Sequence, residues 1–152
     1  MQVLPFDEWL DESVAEVLES MCFTTSEPAA AALADGAGDW VNRRLEFVGP
    51  EQGSFGIRTT LPTARMIACN LLALEDQDLS DHQAGEAIGE IANMVCGAVL
   101  GRFETTQHFN LSSPKWDETA VPEDQISRQR VSRMFSLDEG TLVAWLEIEQ
   151  AK

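Results

Sequence analysis

Apolar residues recur at helical spacing in some stretches of this chain and alternate in others. From Phe6 to Met21 the apolar positions Phe6, Leu10, Val14, Val17 or Leu18, and Met21 line one side of a helix. Asp11, Glu12, Glu16 and Glu19 occupy the opposite side. Thr24 to Asp39 is rich in Ala, Gly and Pro without clear periodicity, and reads as a loop with one helical turn. Trp40 to Val48 alternates as a strand, Gly49 to Gly53 has turn chemistry, and Phe55 to Leu61 is the returning strand of an antiparallel hairpin. Pro62 suits the first turn of a helix running to about Leu74, with Met66, Cys69, Leu72 and Ala73 at helical spacing. After Gly101, Arg102 to Leu111 reads as a strand that Ser112-Ser113-Pro114 ends, and Lys115 to Gln125 as a polar loop. Val131 to Leu137 and Thr141 to Ile148 flank Asp138-Glu139-Gly140 as a second hairpin, with Gly140 free to take a positive φ.

Between these lies the stretch that organises the chain, Ser80 to Gly101. Ser80 is a good N-cap, and Asp81 sits where the helix dipole favours an anion. At about 100° per residue, Ala84, Ile88, Ile91, Ala92, Val95 and Val99 form a core stripe. Glu86, Glu90, Asn93 and Gly97 gather opposite, at i, i+4, i+7 and i+11. Gly costs roughly 1 kcal/mol against Ala in a helix interior. This helix nevertheless carries Gly85, Gly89 and Gly97, so something should pack closely against it.

The order of elements predicts an α+β fold, a largely antiparallel sheet packed against helices that include one long central helix. The 152 residues suit a single domain spanning 1–152. Thr141 to Ile148 is apolar on both faces, Leu142, Ala144, Leu146 and Ile148 on one and Val143 and Trp145 on the other. A strand of that kind is covered on both sides, or is an edge that a second copy hides, which motivates a homodimer.

Composition narrows the function. With 26 acids against 10 bases, the net charge of −16 argues against nucleic acid and against anionic membrane surfaces. No apolar run approaches the roughly 20 residues of a bilayer span. The start of the chain is acidic where a targeting segment would be basic. Cys22, Cys69 and Cys96 lack Cys-x-x-Cys spacing and read as reduced thiols of a cytoplasmic protein. His82 and His108 have no partner at metal-ligand spacing, so no metal site is expected. Glu75 to Asp81 imitates a calcium loop but lacks its sixth-position Gly. Trp9, Trp40, Trp116 and Trp145 are dispersed, without strongly basic clusters beside them.

What remains is Glu90-Ile91-Ala92-Asn93. The segment GEIANMVCGAVLG resembles the Glu-x-x-Asn signature of the CheC/CheX/FliY family of chemotaxis phosphatases. The resemblance extends to the preceding strand pair, the helix after it and FNLSSP, covering roughly Leu45 to Pro114. Glu86 stands where Asp or Ser is usual, and Pro114 lies slightly nearer to Asn93 than the family spacing. Double-site members carry the motif on two helices. Here the first helix offers Glu12, Glu16 and Glu19, with Glu19 where Asn should be, so one active face is expected, as in the CheX-like branch.

The resemblance implies a cytoplasmic hydrolase acting on the aspartyl phosphate of a CheY-like response regulator in two-component signalling. Glu90 and Asn93 would be the catalytic pair, with Glu86, Gly97 and Pro114 contacting the receiver. Asn93 would orient the attacking water and Glu90 would anchor a receiver lysine. The chain itself would need no cofactor, since the receiver brings Mg²⁺. CheX-like proteins also pair through their sheets, which adds to the homodimer expectation. The alternative is a receiver- or motor-binding module of the same fold without catalysis.

Overall fold

The computed structural model describes residues 4–29, 39–103, 108–116 and 130–149. In chain order they form α1 (Phe6–Cys22), β1 (Ser26–Ala29), β2 (Trp40–Val48), β3 (Gln52–Thr60) and α2 (Leu61–Leu72). A single 3-10 turn, Asp76–Asp78, leads into α3 (Asp81–Leu100). β4 (Asn110–Leu111), β5 (Lys115–Trp116), β6 (Arg130–Leu137) and β7 (Thr141–Glu149) follow. The strands build one sheet of order β1-β6-β7-β3-β2-β4, with β5 also paired to β2, and every pairing is antiparallel. The helices pack on one face of it, which is the α+β architecture read from the sequence.

Local chemistry sets the ends of the helices. Thr60 caps α2 by accepting from the Thr63 N–H, with Pro62 inside the first turn. Ser80 and Gln83 form a reciprocal capping box at the start of α3. Arg65 of α2 ties that start down, pairing with Asp76 at 2.9 Å and Asp81 at 2.6 Å. The core stripe of α3 is buried as read, with Ile88, Ile91, Val95 and Val99 all at 0% exposure.

The structure corrects several expectations. In α1 the inward residue at the end is Cys22, while Met21 faces outward. Thr24 to Ala29 is not simply a loop, because the Thr24 and Thr25 hydroxyls donate to the Asp138 carboxylate, and β1 then pairs with β6. Four residues containing Pro28 show no alternation, and an edge is where a proline fits in a sheet. Residues 30–38 of that predicted loop lie outside the described residues. The strand expected from Arg102 begins only at Asn110. Arg102 and Phe103 instead donate to the carbonyls of Val99 and Leu100, closing turns onto the end of α3. Residues 104–107 are outside the described part. Lys115 and Trp116, expected in a loop, pair with Arg44 and Arg43 of β2. The rest of that predicted loop, residues 117–125, is not among the described residues.

β7 is the largest correction. It is an interior strand between β6 and β3, not an edge. On its second apolar face Trp145 is buried within the chain and Val143 is half-buried. The guanidinium of Arg130 lies 4.3 Å from the ring centre of Trp145, and that of Arg44 lies 5.8 Å away. The sheet edge on this side is β1, which carries Glu27 and Pro28, residues that discourage edge pairing.

Candidate functional site

Glu86, Glu90, Asn93 and Gly97 are all exposed, on a helix whose opposite side is fully buried. At about 100° and 1.5 Å per residue, the four fall within about 60° of arc along roughly 16 Å of helix. The row is rigid because its backbone belongs to the core helix. It presents two carboxylates, a carboxamide and a gap, in that order.

Three glycines on α3 prove to have different causes. A Cβ at Gly85 would overlap the benzo ring of Trp116. One at Gly89 would stand 3.0 Å from the guanidinium carbon of Arg43. These two admit neighbours from within the chain. At Gly97 a Cβ would meet nothing within 4 Å. That glycine therefore leaves a gap open to solvent.

Arg43 organises one flank of the row. Arg43, on strand β2, is only 3% exposed. It donates to Gly85 O at 2.7 Å, Pro114 O at 3.0 Å and Lys115 O at 3.3 Å. One planar group thus fastens the Pro114 segment to α3, beside Glu86. Burial pulls the guanidinium pKa down, and the nearby negative charge of Glu86 opposes that shift. Trp116 lies under the guanidinium, 4.1 Å from ring centre to Cζ. The His82 ring is 5.9 Å from the indole and its Nε2 is 3.2 Å from Glu86 Oε1.

The other end of the row opens on a cavity of about 330 Å³ lined by Gly97, Leu100, Phe103, His108, Phe109 and Leu111 among others. Phe103 and Phe109 are 5.4 Å apart, and Trp9 of α1 is 5.2 Å from Phe103. The structure therefore groups Glu86, Glu90, Asn93 and Gly97 on one face, with Pro114 held at the Glu86 end. Trp116, Arg43 and His82 also belong to this neighbourhood and were not singled out from the sequence. His82 could have been, since it lies four residues before Glu86 on the same helix. Arg43 and Trp116 carry no such signal, being 73 positions apart in a chain with no pattern linking them.

Two buried thiols and the acids of α1 play structural parts. Burial pushes the Cys96 thiol of α3 up to about 12 and that of Cys22 up to about 11, so neither supplies a thiolate near neutrality. Glu12 and Glu16 of α1 are exposed and stand 3.5 and 3.6 Å from Arg102 Nη2. That pairing links α1 to the end of α3 and is worth little individually at such exposure. No group of three or more potential metal ligands occurs among the described residues. No helix among them is long and apolar enough to cross a membrane.

Comparison with known proteins bears on this site. The family described as Chemotaxis phosphatase CheX matches residues 44–120 in sequence. No curated protein matches the chain. Among solved structures, the chemotaxis protein CheX of Vibrio vulnificus is similar with a TM-score of 0.74 and 21% identity, covering 98% of this chain and 100% of that one. CheX in the CheX–CheY–BeF3–Mg complex of Borrelia burgdorferi is similar with a TM-score of 0.72 and 18% identity, covering 97% and 100%. FliY of Thermotoga maritima is more distant, with a TM-score of 0.55 and 15% identity over 97% and 92%.

Proposed function

Because the chain belongs to the CheX family of chemotaxis phosphatases, we propose that it hydrolyses the aspartyl phosphate of a CheY-like receiver domain. The observation that carries this reading is the exposed Glu86–Glu90–Asn93–Gly97 row on a helix that the core holds rigid. Such a row suits a macromolecular substrate, because it is a face and not a cleft.

In the reaction, a water oxygen bonds to phosphorus as the bond from phosphorus to the aspartate oxygen breaks. Asn93 holds that water by accepting and donating hydrogen bonds. A carboxamide is far too weak a base to deprotonate it, so catalysis here is positioning. Glu90 pairs with the active-site lysine of the receiver and fixes the pose. The receiver contributes its own Mg²⁺ and charge-stabilising groups. Glu86 and Pro114 border the contact, and the gap at Gly97 admits the partner surface. The site of action is the cytoplasm, where receivers are phosphorylated.

Phosphate release from a panel of phosphorylated receivers of the same cell tests the reading. Acceleration by this protein supports it. Binding without acceleration by any pair favours the non-catalytic module, a reading to which the His82 contact of Glu86 and the unusual residue at that position lend support. A homodimer remains part of the proposal on the strength of family resemblance, its edge-strand premise having failed. Light scattering that shows only a monomer at tens of micromolar (roughly a working concentration) would remove it.

A further inference from the structure

Trp116 is 46% exposed, yet its position is determined from three sides. Its backbone pairs with that of Arg43 in β2, the Arg43 guanidinium covers one face, and Gly85 provides the notch for its benzo ring. An indole needed only for the core would be buried. An indole merely left over in a loop would not require a glycine in the second turn of the helix that carries the row. Immobilising a large, half-exposed aromatic ring in advance is what a binding surface requires, because the entropy of ordering it has already been lost.

Its location gives the partner. Gly85 directly precedes Glu86, so the indole flanks the first carboxylate of the exposed row and is continuous with it. We infer that Trp116 is a docking residue for the phosphorylated receiver, the aromatic rim of the footprint whose acidic centre is Glu86 and Glu90. This rests on the proposed function. The complementary patch on the receiver is a basic side chain with an aliphatic stem. Its charge meets Glu86, while its methylenes or its cationic head lie against the indole. A net charge of −16 on this chain favours a basic patch over an acidic one.

The test uses full-length protein and CheY-type receivers loaded with beryllofluoride and Mg²⁺ for binding, or phosphorylated for turnover. Trp116→Ala should weaken receiver binding and raise KM by about tenfold or more, with kcat changed much less, and Trp116→Phe should restore most of the affinity. If Trp116→Ala no longer melts cooperatively, Gly85→Ala decides instead, because its Cβ displaces the ring without removing it. It should weaken binding in the same direction. Unchanged receiver affinity in a folded variant, while the parent still hydrolyses, overturns the inference and leaves the proposed function standing. A fall in kcat with unchanged affinity also overturns it. So does a change in self-association, read by sedimentation velocity, with receiver affinity intact. A parent that binds no receiver in the panel overturns the proposed function, and the inference with it.

Discussion

Arg43 donates a 2.7 Å hydrogen bond to the carbonyl of Gly85, joining the middle of β2 to the second turn of α3. The same guanidinium bonds two further carbonyls, at Pro114 and Lys115. Arg43→Ala should therefore lower stability by about 2–4 kcal/mol, since it removes charge-assisted bonds and leaves carbonyls without their donor. Arg43→Lys should recover little of this, because an ammonium cannot match the planar fork or the stack on Trp116. Chemical denaturation of the parent and both variants checks the order.

Asn93 and Glu90 should separate cleanly by kinetics. Both are exposed, so neither alanine variant should unfold the protein. Asn93→Ala should remove most turnover and leave receiver binding nearly intact, the mark of an interaction made in the transition state. Glu90→Ala should weaken binding itself, by about 2–5 kcal/mol if its partner lysine is desolvated. Circular dichroism, receiver binding and phosphate release on the two variants distinguish the roles. An Asn93→Ala protein that hydrolyses as fast as the parent would refute the water-orienting role.

Ile91 lies between those two residues in sequence but is 0% exposed, on the far side of the same helix. Ile91→Asp places an unpaired charge in the core and should cost more than about 4 kcal/mol. Loss of the cooperative thermal transition, beside a normal transition for Asn93→Ala, would establish that the two faces of α3 are separate in their duties.

Asp138 gives the fold an acid sensitivity at the sheet edge. Hydrogen bonds from Thr25 and Thr24 hold its carboxyl pKa below the ordinary value of 3.8. A lowered folded pKa contributes stability above the unfolded value, and that contribution is lost as pH falls through the folded value. The amides of Ser26, Glu27 and Ala29 should be protected, relative to their intrinsic exchange at the same pH, near neutrality, and that protection should fall as the pH drops through the lowered Asp138 value. In Asp138→Asn the same amides should exchange faster near neutrality, and the acid-dependent change should shrink. Equal exchange in parent and variant near neutrality would show that β1 is held by its pairing with β6 alone.

The helices and hairpins were legible because their signals are local. The Ser80 cap, the 3.6-residue stripe of Ile88, Ile91, Val95 and Val99, and the turn residues around Gly140 act within a few positions of each other. Gly140 does take a positive φ, at 91°. The Glu86–Glu90–Asn93–Gly97 row was equally legible, because a single helix carries it and its exposure follows from the burial of the opposite stripe. The short strands β1 and β5 were not, and β4 was read only as the end of a longer strand from Arg102. Two to four residues cannot display alternation, and they are strands only because a longer neighbour supplies the hydrogen bonds.

By itself, then, the sequence determined the helix that bears the candidate site and the face it turns to solvent. Tertiary structure alone decided what stands beside that face. It put β7 inside the sheet, with both of its edges hydrogen-bonded within the chain, and set Arg130 and Arg44 beside Trp145. It also brought Arg43 and Trp116 against Gly85 and Gly89. The glycines announced that something approaches the helix. Which residues approach depends on the order and register of strands across the sheet, and no periodicity along one segment encodes that order.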